Sequence, residues 1–376
     1  MLSRSISSTK ISKQFRTICI TFRKMSTEAP DVILEEINNK GIITLNRPKV
    51  LNALDLSMVK KIVPALQKWE KDGKVCVIVK GAGEKSFCAG GDVKNIVLDG
   101  MKGGKLGHEF FREEYAMNGM IGNYKIPYIA LIDGIVMGGG VGLSVHGKYR
   151  VATERSLFAM PETQIGLFPD VGGSYFLPRL KGKIGSYLAL TGERLKGADL
   201  LKAKIATHYI TSNKLQDLEN AIVQCQSASE IERTLDKFSI QDNNPFVLEP
   251  VIDKIDACFS SNSVEQIFER LEKDGSDWAI KTLGKLKKMS PTSLKVTLKI
   301  INEGKKLSLI EALQVEYRVA VGCLSHHDFY EGVRALLVDK DQNPKWKPST
   351  VREVTDDIVD RHFARLSEDK ELKHKL

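Results

Sequence analysis

Apolar residues in the first part of the chain occur in short runs that predict β-strands. These runs cover residues 41–45, 75–79 and 128–132, and the second run leads into a glycine-rich turn. A nearly continuous apolar run of about five residues is typical of a strand buried on both faces of a sheet. Because the runs alternate with amphipathic segments between about residues 32 and 133, the pattern predicts the strand and helix units of an α/β fold.

Two amphipathic segments between these strands predict helices. Residues 55–71 place apolar side chains at helical spacing, with Asp55 as the expected N-cap and Pro64 as the expected position of a kink. Residues 108–124 form the second segment. Just before it, residues 99–107 contain four glycines and two lysines, which predicts a mobile loop.

Helical patterns dominate the last part of the chain, from about residue 214 to the end. The expected helices are residues 264–271, 278–288, 293–303 and 307–324. Pro291 is expected at a helix start, and residues 343–348 are expected to form a rigid, non-helical connector. The chain therefore divides into an N-terminal arm (1–27), an α/β core (28–213) and a helical C-terminal region (214–376).

The basic residues of the N-terminal arm explain most of the net charge of +9. Six basic residues and no acidic residue occur before Glu28, among many Ser and Thr residues, which is typical of a mitochondrial transit peptide; a disordered basic tail is the alternative. Removing these six leaves 50 basic against 47 acidic residues, scattered singly, so the charge does not indicate a nucleic-acid partner. No apolar run approaches the roughly 20 residues that span a bilayer, so no membrane span is expected.

The addressing features favour the mitochondrial matrix. Met25 offers a second start that would omit the basic arm, and the C-terminal residues His374, Lys375 and Leu376 weakly resemble a peroxisomal signal. The six cysteines form no Cys-x-x-Cys pair and no metal-like spacing with histidine. They indicate a reducing compartment and no metal site.

Two glycine-rich turns follow predicted strands and could bind a ligand oxygen. Residues 87–92 read Phe-Cys-Ala-Gly-Gly-Asp, and residues 137–142 read Met-Gly-Gly-Gly-Val-Gly. Small residues allow close approach to main-chain N–H groups, as an oxyanion hole requires, although each could be only a tight turn. Neither turn matches a dinucleotide or P-loop motif, and His146 replaces the second glycine that a serine nucleophile elbow at Ser144 would need.

Two carboxyl groups lie eight residues apart in an apolar segment. Glu162 and Asp170 each stand beside a proline, among Met160, Ile165 and Phe168. Burial in such surroundings raises the pKa of a carboxyl group toward the range useful for proton transfer. The alternative is a structural role, because Asp170 precedes Val-Gly-Gly as a helix N-cap would.

Together these segments resemble the crotonase (enoyl-CoA hydratase/isomerase) superfamily. The resemblance also includes Leu-Asn-Arg-Pro at 45–48 and Leu-Asn-Ala-Leu at 51–54. It implies a spiral of ββα units followed by a helical region that often mediates assembly, so a homo-oligomer is expected. It further implies that the amides of Ala89 and Gly139 bind the thioester oxygen. The residues expected to hold the CoA part of the substrate are Asn52, Ala53, Leu54 and Asp92.

Within the superfamily the acidic residues resemble those of the 3-hydroxyisobutyryl-CoA hydrolases. Hydratases carry a second glutamate where this chain has Gly142, and usually a glycine where it has Asp170. The runs at 111–115, 138–147 and 161–173 match the hydrolases, and the resemblance continues to 344–348. Ser174 stands where the resemblance leads us to expect a third glycine.

This resemblance implies hydrolysis of 3-hydroxyisobutyryl-CoA to 3-hydroxyisobutyrate and CoA in valine degradation. Glu162 would attack the acyl carbon or activate the attacking water, and Asp170 would orient that group or transfer the proton that the departing thiolate needs. Glu114 would bind the 3-hydroxyl of the substrate, unless it is only a solvated charge on a helix. No cofactor is expected beyond the CoA of the substrate. The alternatives are a hydratase or isomerase of the same superfamily, and a non-enzymatic protein associated with the mitochondrial ribosome.

Overall fold

Ten strands form two sheets in the computed structural model, which describes residues 29–373. The strands are β1 (Val32–Ile37), β2 (Lys40–Leu45), β3 (Cys76–Gly81), β4 (Ser86–Cys88), β5 (Tyr128–Ile132), β6 (Ile135–Met137), β7 (Tyr149–Ala152), β8 (Leu157–Ala159), β9 (Leu195–Lys196) and β10 (His208–Tyr209). The predictions for the arm 1–27, for Met25 as a second start and for residues 374–376 lie outside the described residues.

The two sheets are built by strands that alternate between them along the chain. The larger sheet has the order β1-β2-β3-β5-β7-β10 and the smaller one β4-β6-β8-β9. Only the outer pairs β1–β2 and β8–β9 are antiparallel. From β3 to β8 each successive pair gives one strand to each sheet, which produces the spiral of ββα units and confirms the predicted α/β fold class.

The alternation of side chains along the strands separates two apolar cores. Successive side chains in a strand point to opposite faces of the sheet. Neighbouring strands are in register, so matching side chains form rows that cross β2, β3 and β5. The row that faces the main core is Ile43, Val79 and Ala130. The row that faces the second core is Ile42, Ile78 and Ile129.

Sixteen α-helices occur in residues 29–373. They are α1 (Leu56–Lys71), α2 (Val93–Gly100), α3 (Leu106–Gly122), α4 (Gly139–Gly142), α5 (Gly173–Phe176), α6 (Ile184–Thr191), α7 (Asp199–Lys202), α8 (Leu215–Gln224), α9 (Ala228–Phe238), α10 (Ile252–Phe259), α11 (Val264–Asp274), α12 (Asp277–Leu286), α13 (Pro291–Gly304), α14 (Leu309–Leu324), α15 (His327–Val333) and α16 (Asp356–Phe363). A π-helical turn, Arg334–Val338, continues α15.

The first predicted helix and its cap are confirmed. The Asp55 carboxylate accepts a hydrogen bond from the Met58 amide at 2.9 Å, and Pro64 lies inside α1. The prediction of a loop over 99–107 was wrong at both ends. Helix α2 continues to Gly100, and only residues 101–105 separate it from α3. The Leu106 amide at the start of α3 donates to the Asp99 carboxylate at 2.9 Å.

The C-terminal region is helical, and the four helices expected there correspond to α11, α12, α13 and α14. Ser290 caps α13, Pro291 occupies its first turn, and residues 343–348 belong to no helix or strand. These helices pack onto the core, with α14 against α3 and α15 against α2. From Asp31 onward the described residues therefore form one compact unit. None of the helices in residues 29–373 combines the length and apolarity that crossing a bilayer needs.

Candidate active site

Three parallel strands of the smaller sheet bring the three motif segments to one edge. β4, β6 and β8 are neighbours, and parallel strands end at the same side of a sheet. Residues 87–92, 137–142 and 158–173 pass through or directly follow the ends of these strands. The glycine-rich turns thus follow the short strands β4 and β6, whereas the sequence predicted that they directly follow the longer strands over 75–79 and 128–132.

A cavity of about 310 Å³ lies between these segments. Both glycine turns line it, as do the π-helical turn after α15 and the exposed side chain of Arg194. Its lining includes the predicted site residues Ala89, Gly139, Glu114, Glu162 and Asp170. Five predicted residues separated by up to 81 positions therefore meet at one cavity.

The backbone amides that face the cavity differ in one position from the prediction. Gly139 is the first residue of α4, where an N–H has no acceptor within its helix. The Ala89 amide, however, already donates to the Leu51 carbonyl at 3.0 Å, so it is not free to bind a substrate oxygen. Gly91 has no such acceptor within residues 29–373, and a Cβ added to Gly139 would lie 3.2 Å from its nitrogen. Gly91, in place of Ala89, is the free amide beside Gly139.

Glu162 is buried against the second glycine turn. It begins a short 3₁₀ turn after β8, with only 5% of its surface exposed. A Cβ added to Gly138 would lie 2.9 Å from Glu162 Oε1, so a glycine is needed there for the carboxyl group to reach the main chain. Its other oxygen, Oε2, is buried and has no hydrogen-bond partner. Such an orphaned atom is costly to bury and is available to a ligand.

Asp170 is buried and bound to a tyrosine that the sequence did not single out. The Tyr115 hydroxyl donates to Asp170 Oδ2 at 2.6 Å. Gly172, and not Asp170, is the N-cap of α5. The alternative that Asp170 caps a helix was therefore wrong, because its carboxylate points to Tyr115.

Glu114 lies on α3 and is 2% exposed. Its Oε1 atom is buried without a partner, and a Cβ added to Gly139 would lie only 2.4 Å from it. The alternative of a solvated charge on a helix was therefore wrong. Glu114 faces the cavity beside one of the two free amides.

Burial raises the pKa of all three carboxyl groups. The pKa values of Glu114 and Glu162 lie well above the ordinary range, first through desolvation and then through the neighbouring charge of Asp170. Desolvation raises the pKa of Asp170 to about 6, while the hydrogen bond from Tyr115 lowers it. Asp170 is thus the easiest of the three to ionise, and its charge opposes the ionisation of the nearby Glu162, so the two groups lose their protons in successive steps.

The side chains predicted to hold CoA are engaged within the protein. Asn52 is buried, donates to the carbonyls of Ala82 and Ser86 at 2.9 and 2.8 Å, and accepts from the Arg47 amide at 2.9 Å. The Asp92 carboxylate binds the Arg47 guanidinium at 3.1 Å. These contacts hold the first glycine turn in place. A role of Asn52, Ala53, Leu54 and Asp92 in CoA binding stays a prediction.

A fourth buried acid, Glu316 on α14, supports the turn after Asp170. It accepts from the Gly172 amide at 2.7 Å, from the Ser174 amide at 2.9 Å and from the Ser174 hydroxyl at 2.5 Å. Desolvation raises its pKa to about 8, against these hydrogen bonds. Ser174, the departure from the expected glycine, therefore has a specific partner. The sequence did contain a signal for the role of Glu316, because an acidic residue lies on the apolar face of α14 between Leu313 and Ala320.

The arrangement presents two amides and a group of partly protonated acids to one small volume, which suits acyl chemistry. Across residues 29–373, no cluster of three or more His, Cys, Asp or Glu side chains is placed to bind a metal ion.

Known proteins resemble this chain over nearly its whole length. The family model for enoyl-CoA hydratase/isomerase matches residues 40–363. The chain is 53% identical over 368 residues to the "3-hydroxyisobutyryl-CoA hydrolase, mitochondrial" of Danio rerio, covering 95% of this chain and 96% of that one. It is also 53% identical over 350 residues to the protein of the same name from Homo sapiens, covering 91% of each. Among solved structures, a carnitinyl-CoA dehydratase from Mycobacterium thermoresistibile is 38% identical, with a TM-score of 0.86, covering 92% of this chain and 99% of that chain.

Proposed function

The chain belongs to the enoyl-CoA hydratase/isomerase family, and we propose that it hydrolyses 3-hydroxyisobutyryl-CoA to 3-hydroxyisobutyrate and CoA. The observation that carries the proposal is the meeting of two free main-chain amides and two buried acids at one cavity. The identity of 53% to relatives that bear this activity in their names supports the choice of substrate. The reaction is a step of valine degradation.

The two amides at the cavity polarise the thioester carbonyl. Gly91 and Gly139 donate to its oxygen, on which negative charge develops as the acyl carbon is attacked. Donors fixed in this position stabilise the transition state without reorganising, and loss of one such donor costs about 2.7 to 4 kcal/mol in comparable enzymes.

Glu162 and Asp170 carry out the proton and acyl chemistry as a pair. Glu162, with an unpartnered carboxyl oxygen at the cavity, attacks the acyl carbon or removes a proton from the attacking water. Glu162 reacts in its ionised form, so in the reactive form of the pair the proton has passed from Glu162 to Asp170. Asp170 passes this proton to the sulfur of CoA as the carbon–sulfur bond breaks. Tyr115 holds Asp170 in position throughout.

Glu114 binds the 3-hydroxyl of the acyl group. Its unpartnered Oε1 lies beside Gly139, so a hydroxyl on the acyl chain could satisfy it while the thioester oxygen occupies the amides. A site that leaves a buried polar atom unpaired without the correct substrate discriminates strongly against the analogue that lacks the group.

Gly142 argues against a hydratase or isomerase activity. A Cβ at this position would already lie 2.7 Å from both the Asn118 side-chain amide and the Val171 Cβ. A second catalytic glutamate would therefore find no room there. A non-enzymatic role is disfavoured because three buried acids with raised pKa values are costly to fold unless they are used.

The proposal is tested by thiol release from 3-hydroxyisobutyryl-CoA, measured beside hydration of crotonyl-CoA. We expect fast thiol release and little hydration. Glu162→Gln should lower kcat at least 1,000-fold while leaving binding of the CoA ester largely intact, because it removes the reacting oxygen but keeps the shape of the side chain. Glu154→Gln, a change at an exposed acid, is the matched control and should keep wild-type activity. Hydration faster than thiol release, or an active Glu162→Gln enzyme, would refute the proposal.

We further propose that this protein acts in the mitochondrial matrix. The relatives named above are mitochondrial, which supports this location. The reaction needs no cofactor beyond the CoA of its substrate, so activity should survive dialysis against EDTA. Self-association into a homo-oligomer stays a prediction that size-exclusion chromatography with light scattering can test.

A further inference from the structure

The turn directly after Asp170 has a strained backbone. Val171 has φ +52° and Gly172 has φ +85°, both in the left-handed region. A β-branched residue such as valine rarely adopts this conformation, because its side chain clashes with its own backbone. Val171 is also fully buried. The conformation must therefore be held by contacts from outside the turn.

Side chains from two distant elements hold this turn from opposite ends. The His146 imidazole Nε2 lies 2.7 Å from the Val171 carbonyl oxygen. Because a carbonyl can only accept, the imidazole must carry its proton on Nε2. A Cβ on Gly172 would lie 2.3 Å from the same nitrogen, so this position requires glycine for space as well as for φ.

Glu316 holds the other end of the turn. Gly172 donates to one of its carboxyl oxygens, and the amide and hydroxyl of Ser174 donate to the other. Glu316 is fully buried, and each of its hydrogen-bond partners within residues 29–373 is a donor. Its carboxyl group does not line the cavity, so it has no direct access to a substrate. A buried acid with three donors from one turn is arranged to fix that turn.

We propose that Glu316 is a positioning residue for Asp170. By binding the amides of the turn it holds Val171 in its strained conformation, and this conformation aims the Asp170 carboxyl group at Tyr115 and the cavity. The proposal deepens the proposed function and rests on it for its kinetic test.

The main test compares kcat and KM of Glu316→Gln with those of the wild type, using 3-hydroxyisobutyryl-CoA. A glutamine side chain has one accepting oxygen where glutamate has two, so its NH₂ group would face a donor of the turn. We expect kcat to fall about 10- to 100-fold, the loss typical of a slightly misplaced catalytic group, with KM within about twofold. Glu311→Gln is the matched control. It removes the charge of an acid at the start of the same helix, where Glu311 binds only Ser308 among residues 29–373, and should leave kcat within about twofold.

A double-mutant cycle separates positioning from general stability. If Glu316 acts through Asp170, then Glu316→Gln should cost little further kcat in an Asp170→Asn background. The cost should also shrink in a Val171→Gly background, because glycine adopts positive φ without strain and needs less support. Equal losses in all backgrounds, or a loss in KM alone, would overturn the proposal.

Two further measurements keep the test decisive. If Glu316→Gln does not yield soluble protein, Ser174→Ala removes only the hydroxyl contact and should lower kcat by a smaller factor of about 3 to 10. Hydrogen exchange of the peptide over residues 168–176 should be faster in Glu316→Gln than in Glu311→Gln, and unchanged exchange would overturn the proposal. This readout needs no turnover. An inactive wild type would refute the proposed function, while the exchange result would still decide whether Glu316 holds the turn.

Discussion

The hydrogen bond between Tyr115 and Asp170 leads us to a specific prediction about the pH dependence of the enzyme. The Tyr115 hydroxyl donates to Asp170 Oδ2 at 2.6 Å, and both side chains are buried. A hydrogen bond to a charged group contributes about 1.5 to 3 kcal/mol, and one pH unit corresponds to 1.36 kcal/mol. Because the bond favours the ionised carboxylate, removing it in Tyr115→Phe should raise the pKa of Asp170 by about 1 to 2 pH units.

The assay is kcat/KM for thiol release between pH 5 and 9. In the wild type we expect the acid limb near the pKa of Asp170, which is raised to about 6, since activity requires the loss of the first proton from the Glu162–Asp170 pair. In Tyr115→Phe the limb should move to higher pH by about 1 to 2 pH units. The ring itself keeps its contacts with Phe111 and Tyr317, so the variant should fold.

Tyr124→Phe is the matched control, because its hydroxyl donates to the Leu66 carbonyl away from the cavity. Its acid limb should coincide with that of the wild type. An acid limb that stays in place in Tyr115→Phe, or moves to lower pH, would show that ionisation of Asp170 does not control the rate.

Three further variants test the burial of Asp170, the amide of Gly139 and the preference of the site for a 3-hydroxyl group. Asp170→Asn should reduce turnover to a small residual rate yet stabilise the fold at neutral pH. Burial raises the pKa of Asp170 to about 6, so stability present below the unfolded pKa is lost as pH rises through 6, by roughly 3 kcal/mol at pH 7 and above. Thermal melts should therefore show a higher Tm for this variant at pH 8 and none of this gain at pH 4, and an equal Tm at pH 8 would contradict the argument. Gly139→Ala should fold but lose about 100-fold in kcat, because its Cβ would lie 2.4 Å from the Glu114 carboxyl oxygen beside the amide, whereas Gly284→Ala, where no atom lies within 4 Å, should be neutral. Glu114→Gln should reduce the preference for 3-hydroxyisobutyryl-CoA over isobutyryl-CoA about 10-fold in kcat/KM, and the neighbouring Glu113→Gln should not; an unchanged preference would remove Glu114 from substrate recognition.

Local patterns were sufficient for most of the fold. The helix over 55–71 and its Asp55 cap were predictable because helix periodicity and capping depend on residues within four positions of each other. The long strands β2, β3 and β5 were predictable because both of their faces are buried. The three-residue strands β4, β6 and β8 were missed, because so short a segment carries no periodic signal.

The predictions for the site were wrong where they depended on contacts between residues that lie far apart in the sequence. Ala89 and Gly91 are both small residues of one turn, and only the path of the main chain past Leu51 decides which amide remains free. Tyr115 and Glu316 were not recognised as parts of the site, because their partners lie 55 and more than 140 positions away.

The sequence by itself therefore determined the α/β class, the helical C-terminal region, the glycine turns and the two acids, Glu162 and Asp170, that line the cavity. Each of these depends on the sterics and spacing of neighbouring residues, or on motifs that other members of the family share. Only the tertiary structure decided which amide faces the cavity, that Glu114 is buried, and which partners set the ionisation of Asp170. Desolvation and hydrogen bonding in a site depend on chain segments brought together from far apart, and their effect on a pKa exists only once those segments are packed.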